Sequence, residues 1–204
     1  MAIRQFVGDL PNLDNYGREV AIDTETMGLM TKRDRLCVVQ LSSGDGNADI
    51  VQIPIGHTDS PNLKKLITDP NVTKIFHFAR FDMAALQNHF GDVVGPVYCT
   101  KIASKLARTY TDRHGLKDLC RELLGKEISK QQQSSDWGSE ELSKAQAEYA
   151  ASDVLYLHDL MRHLNQMLLR EERFELAEQS MAFLKTRVAL DLAGWGETDI
   201  FAHS

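Results

Sequence analysis

Val20-Ala21-Ile22-Asp23-Thr24-Glu25 is an apolar run that ends in two acids one residue apart, and its reading decides the fold. Three consecutive apolar residues running into polar ones predict a short strand core. Side chains alternate along a strand, so Asp23 and Glu25 leave it on the same side. Two carboxylates held that close repel each other unless a cation lies between them. Taken alone, such a pair more often marks a solvated loop or a cap.

Working outward, residues 35–42 form a second strand rich in β-branched types, and Gly44-Asp45-Gly46-Asn47 is a hairpin turn. Residues 48–53 then return as a third strand, antiparallel to the second. Pro61-Asn62-Leu63 opens a short helix with Leu63, Leu66 and Ile67 at helical spacing, and Asp69-Pro70 stops it. Residues 72–76 are a fourth strand that feeds a helix from Ala79 through Leu86. Val97-Tyr98-Cys99 is a brief fifth strand. Beyond Lys101 the periodicity is helical, with Gly125 as a C-cap. Residues 127–139 read as a long polar loop. Ser143 starts a long helix through Leu160, and a last helix covers 171–193 until Gly194-Trp195-Gly196 breaks it, leaving a loosely held tail. The expected architecture is α/β, with a mixed five-stranded sheet flanked by helices. Residues 1–204 read as a single domain, with a core of about 15–165 and a C-terminal helix and tail over 171–204.

The chain has 43% hydrophobic and 25% charged residues, a folded rather than a disordered composition. No apolar run approaches the ~20 residues of a membrane span, and Met1-Ala2-Ile3-Arg4-Gln5 has no signal-peptide core. Cys37, Cys99 and Cys120 form neither a disulfide framework nor a CxxC zinc site, which fits a reducing cytoplasm. A net charge of −6 argues against broad wrapping of a nucleic-acid duplex. It leaves room for a carboxylate-lined metal site, because bound cations offset those charges. Residues 101–130 carry eight Lys/Arg against four Asp/Glu, and 171–204 carry three against seven. No feature of the sequence signals a particular oligomeric state.

Two further acids join the first pair. Asp82 sits in the strand–helix unit among Phe78, Phe81, Met83 and Leu86; by itself it reads as a first-turn acid favoured by the helix dipole. Asp153 lies four residues after Tyr149, hence on one helical face with it, in an otherwise apolar stretch where a carboxylate needs a partner. Four acids on or beside core elements have a joint reading. Hard oxygen ligands suit Mg²⁺ or Mn²⁺, and two such ions clamp the attacking and leaving oxygens of a phosphodiester.

Asp23-x-Glu25, Asp82 and Tyr149-x-x-x-Asp153 resemble the three motifs of the DEDD superfamily of 3′–5′ exonucleases, in its tyrosine branch. The position a histidine would occupy in the other branch is Glu148. More specifically the chain resembles ribonuclease D, over about residues 15–165. The likeness rests on Asp23-Thr24-Glu25-Thr26-x-Gly28-Leu29, His77-x-Ala79-x-x-Asp82, Gly115-Leu116-Lys117-x-Leu119, and Gln133-Ser134-Ser135-Asp136-Trp137 before the Tyr149 motif. It departs where Ser139-Glu140-Glu141 replaces a usual Arg-Pro-Leu, and it has no room for the C-terminal helical RNA-binding domains of the long enzymes.

The resemblance implies a ribonuclease H-like fold and a metal-dependent exoribonuclease acting on single-stranded RNA 3′ ends with two divalent ions, Mg²⁺ or Mn²⁺. It implies that Asp23 is shared by both ions, that Glu25 and Asp153 complete the first and that Asp82 holds the second. Tyr149 would orient the attacking water, since a phenol is a poor base at neutral pH. Thr24, Met27, Leu29, His77, Lys130 and Gln133 are candidate substrate contacts; Met27 and Leu29 read equally well as loop anchors, and Trp137 as packing. Three other readings stay open: the same chemistry on single-stranded DNA, a catalytically silent nucleic-acid-binding module, and a glycosidase-like acid pair without a metal.

Overall fold

A computed structural model describes residues 2–129 and 131–203. Six strands, β1 (Ile3–Val7), β2 (Glu19–Thr26), β3 (Leu36–Ser42), β4 (Ala48–Gln52), β5 (Thr73–Phe76) and β6 (Val97–Cys99), form one mixed sheet in the order β1-β4-β3-β2-β5-β6. β2 runs antiparallel to β3 and parallel to β5, and β6 continues parallel to β5. The architecture is the α/β one expected, with six strands in place of five. The strand that sequence reading missed is β1, which pairs parallel to β4 at the sheet edge. Its segment Ile3-Arg4-Gln5-Phe6-Val7 has no clean alternation. Arg4 is held by Asp49, which also accepts from the Tyr16 hydroxyl at 2.6 Å.

The sheet interior explains the apolar runs. All seven residues of β3 are buried, as are Val20, Ala21 and Ile22 of β2. A strand covered on both faces reads as continuous apolar sequence rather than alternation. The turn from β3 to β4 places Gly44 and Gly46 at φ near +81°, the left-handed region that the Gly-Asp-Gly-Asn sequence supplies.

The helices are α1 (Pro61–Thr68), α2 (Ala79–Phe90), α3 (Thr100–Ala107), α4 (Leu116–Leu124), α5 (Lys144–Leu155), α6 (Leu157–Arg170), α7 (Phe174–Ala182) and α8 (Leu184–Leu190), followed by a π-helical turn at Asp191–Trp195. Ser143 caps α5 in a reciprocal box: its hydroxyl accepts from Gln146 N, and Gln146 Oε1 accepts from Ser143 N. The expected continuous helix from 143 to 160 breaks at Tyr156. α5 packs on β2, β3 and β4 while α6 packs on α3 and α4, so the two need different directions. The expected last helix is likewise divided. Glu172 at φ 55° turns the chain, and α7 gives way to α8 at Phe183. The π-helical turn after α8 is tied to α2. Arg80 on α2 donates to both Asp191 oxygens, at 2.6 and 2.8 Å, and to Gly196 O at 2.7 Å.

Among the described residues no helix is long and apolar enough to cross a membrane. The three cysteines are buried and unpaired.

Candidate active site

The far end of β2 meets the start of α2 and the second half of α5, and there the four acids gather. Oxygens of Asp23, Glu25 and Asp153 lie within 4.8 Å of one another, the metal-type cluster found among the described residues. Strand alternation places the first two together, as the sequence implies. α5, seated on β2 and β3, brings Asp153 from far along the chain.

Asp82 stands beside this trio on the first turn of α2 and is almost wholly buried. Its Oδ1 accepts two hydrogen bonds from Thr24, from the amide at 3.0 Å and from the hydroxyl at 2.8 Å. Thr24 is itself buried, and its hydroxyl proton is committed to Asp82.

Asp23, Glu25 and Asp82 form no ion pair with Lys or Arg among the described residues, and their protonation reflects it. Burial, with Asp82, Asp153 and Glu25 nearby, raises the Asp23 carboxyl well above the usual range. Burial and the charges of Asp153 and Asp82 push Glu25 up to about 9. Burial pushes Asp82 up to about 7 against the opposing hydrogen bonds from Thr24. Each shift says that the cluster resists carrying its full negative charge alone. An all-oxygen donor set this close and this short of positive charge fits Mg²⁺ or Mn²⁺.

Tyr149 lies one helical turn before Asp153. Burial first, then the charges of Asp153, Glu25 and Asp23 and a hydrogen bond with Asp153, hold its hydroxyl protonated. It is therefore a donor rather than a base. Trp137 packs against its ring, centroids 5.9 Å apart, and at 4% exposure it is the packing anchor expected rather than a surface for bases.

The acids and Tyr149 open into a cavity of about 650 Å³. Met27 and Leu29 stand at its edge with 53% and 86% of their surface exposed. Gln133 lines it, as does His77. His77 Nδ1 lies 2.9 Å from the Thr100 hydroxyl, which in turn lies 3.2 Å from Phe76 O. Lys130 lies outside the described residues. Lys101 and Lys117 line the cavity and were not singled out from the sequence. The loop that delivers Gly115, Leu116 and Lys117 to it is fastened by the buried Arg108. That guanidinium donates to Ser104 Oγ at 3.0 Å and to Arg113 O at 2.8 Å, and pairs with Glu122.

Sequence reading also passed over Gln40. Its side chain is fully buried in β3 opposite Asp23, and its Nε2 donates to Asp23 Oδ2 at 3.2 Å. The signal was a lone amide inside Val38-Val39-Gln40-Leu41. A larger cavity, about 710 Å³, lies at the opposite end of β2 and β5, is mostly apolar and holds no acid cluster.

The sequence model of a 3′–5′ exonuclease family matches residues 4–169. Ribonuclease D of Granulibacter bethesdensis is 35% identical over 165 residues, covering 81% of this chain and 41% of that protein. The chain thus spans about two fifths of the length of such curated relatives. Among solved structures, Brucella melitensis NrnC bound to pGG is 62% identical over the whole of both chains, with a TM-score of 0.97. The same protein with bound Mg²⁺ is 61% identical over the whole of both, at 0.96. Escherichia coli RNase D is 27% identical at a TM-score of 0.75, over 84% of this chain and 45% of that one.

Proposed function

This chain belongs to the 3′–5′ exonuclease family, and from that premise we propose that it hydrolyses short single-stranded RNA from the 3′ end, releasing nucleoside 5′-monophosphates with two divalent cations, Mg²⁺ or Mn²⁺. The observation that carries the reading is the convergence of the Asp23, Glu25 and Asp153 oxygens within 4.8 Å, next to Asp82 and Tyr149, in one open cavity. When bound, divalent cations supply an acidified water and charge neutralisation at the reacting phosphodiester.

The protein's own groups then have separate duties. Asp23, Glu25 and Asp153 would hold one cation, and Asp82 with Asp23 would hold the other. Tyr149 keeps its proton and positions the attacking water by hydrogen bonding. Met27 and Leu29, exposed and apolar, press against bases at the 3′ end, where contact with a flat face tolerates any sequence. His77, Gln133 and Lys130 complete the proposed substrate contacts, while Thr24, expected as one, acts instead through its two hydrogen bonds to Asp82.

Three facts support RNA and short length. Most of the curated relatives are named ribonuclease D, against one DNA polymerase I of Aquifex aeolicus at 34% identity; the relative NrnC is solved with pGG; and the cavity is compact. The same relative with bound Mg²⁺ supports the choice of ion. Retention of all four acids and Tyr149 speaks against a silent binding module. Family membership leaves no place for the metal-free glycosidase reading. A cytoplasmic setting suits the three unpaired cysteines.

The test is initial rates on matched RNA, single-stranded DNA and blunt-duplex oligomers at one salt concentration. Reading the 2′-OH by one or two hydrogen bonds, at about 0.5–1.5 kcal/mol each, gives a preference of roughly ten- to a hundred-fold for RNA. The blunt duplex resists. A DNA rate equal to the RNA rate overturns the ribonuclease assignment, and full activity in excess EDTA overturns the metal mechanism.

A further inference from the structure

Phe78 occupies a backbone conformation that a bulky residue avoids. It links β5 to α2, four residues ahead of Asp82, with φ 86° and ψ 48°. A side chain with a Cβ is strained in this left-handed region, where glycine is not. Such strain persists where the surroundings enforce it, and it concentrates at working sites. Burial does not offset it here, since 44% of the residue is exposed.

The ring stands on a ridge. On one side it lines the cavity that holds Asp23, Glu25, Asp82, Tyr149 and Asp153. On the other it borders a smaller groove of about 260 Å³ with Ile102, Phe183 and Leu184. Lys101, which also lines both, holds its ammonium 4.5 Å from the ring centroid. An exposed aromatic face at the rim of a catalytic cavity, with a cation attached, matches a nucleotide in two ways. A base has a flat π-face to stack on the ring, and its phosphate draws the ammonium.

We propose that Phe78 is a base-stacking platform for the bound strand and that Lys101 contacts the phosphate of the stacked nucleotide. The claim rests on the nuclease reading above and adds a residue pair to it. Stacking accepts any base, and the larger purines stack over more of the ring, so the platform favours a purine without requiring one.

The experiment compares wild type with Phe78→Gly, Phe78→Trp and Lys101→Met, using KM and kcat on short RNA. It adds fluorescence quenching of a 2-aminopurine-labelled oligomer by each variant in the Asp153→Asn background. Glycine relieves the backbone strain, so Phe78→Gly is expected to keep the wild-type melting temperature or exceed it. Its KM rises about 5- to 160-fold, the span of one lost stack, with little change in kcat, and the quenching disappears. Tryptophan restores both. Lys101→Met lowers the salt slope of binding by about 0.7, one phosphate contact on a single strand. Wild-type KM and quenching in Phe78→Gly overturn the proposal. So does a fall in melting temperature that tryptophan does not repair, which marks the ring as packing. A wild-type enzyme inert on RNA overturns the nuclease reading as well, and is distinguishable because it fails before any substitution is made.

Discussion

Thr24 reaches Asp82 twice, through its amide and through its hydroxyl, and both bonds end on the same oxygen. Both acceptor positions of Oδ1 are thereby used, and Oδ2 takes neither of these bonds. The sequence neighbour of the first metal acid thus sets the orientation of the third.

Thr24→Val keeps the shape and the amide bond and deletes the hydroxyl donor. A hydrogen bond to a charged group is worth about 1.5–3 kcal/mol. The Mg²⁺ concentration for half-maximal activity should therefore rise roughly ten-fold or more, with the fold intact by circular dichroism. An unchanged Mg²⁺ titration would show that Asp82 is held by other contacts.

The second prediction is a pH dependence with a definite sign. The carboxyls of Asp23, Glu25 and Asp82 sit above their unfolded values, so the folded chain holds more protons than the unfolded one from about pH 4 upward. Their favourable contribution is complete below the unfolded values and is lost as pH rises through about 7 for Asp82 and about 9 for Glu25. Metal-free protein should melt at progressively lower temperature from pH 5 to pH 9. Added Mg²⁺ should raise the melting temperature more at pH 9 than at pH 5, since it replaces those protons. Differential scanning fluorimetry with and without EDTA reads both, and a Mg²⁺ increment independent of pH would contradict the shared origin.

Neutralising one acid should separate stability from activity. Asp23→Asn removes a charge that Asp82, Asp153 and Glu25 all disfavour. The variant should melt above wild type in EDTA at pH 8 while losing cleavage altogether. A variant less stable than wild type under those conditions would mean that the Gln40 hydrogen bond to Asp23 outweighs the repulsion.

Tyr149→Phe deletes the donor and leaves the ring against Trp137. Activity should fall on the order of 10²–10⁴-fold, as for a positioned proton-handling group, with Mg²⁺ affinity little changed. Because burial and three carboxylates keep the phenol protonated, wild-type activity should show no loss at alkaline pH attributable to its ionisation. Wild-type turnover in the Phe variant would assign Tyr149 to packing.

What the sequence disclosed divides along the range of the interaction. The pair Asp23 and Glu25 was legible because a strand repeats every two residues. Asp153 was legible with Tyr149 because a helix brings residues four apart together. The Ser143 cap and the Gly-Asp-Gly-Asn turn were legible because each is a local backbone requirement. β1 was not, since an edge strand of mixed polarity acquires its identity from pairing with β4. Nor was the break at Tyr156, where neither glycine nor proline marks the change of packing partner. The supports of the site, Thr24 on Asp82 across 58 positions and Gln40 on Asp23 across 17, join residues with no common periodicity. Phe78 shows its strain only through a dihedral angle that no residue type announces.

The placement of Asp153 and Tyr149 on α5, with the other acids on β2 and α2, also orders events during synthesis. A chain still growing from its N-terminus completes β1 to β6 before α5 exists. Until α5 is made the chain lacks Asp153, the last of the proposed ligands, the Tyr149 hydroxyl proposed to position the water, and the helix that covers β2, β3 and β4. Long-range docking of this kind is slow relative to helix and hairpin formation. On the proposed roles, competence for cleavage is among the last properties acquired, and a chain ending short of residue 149 is expected to be inert.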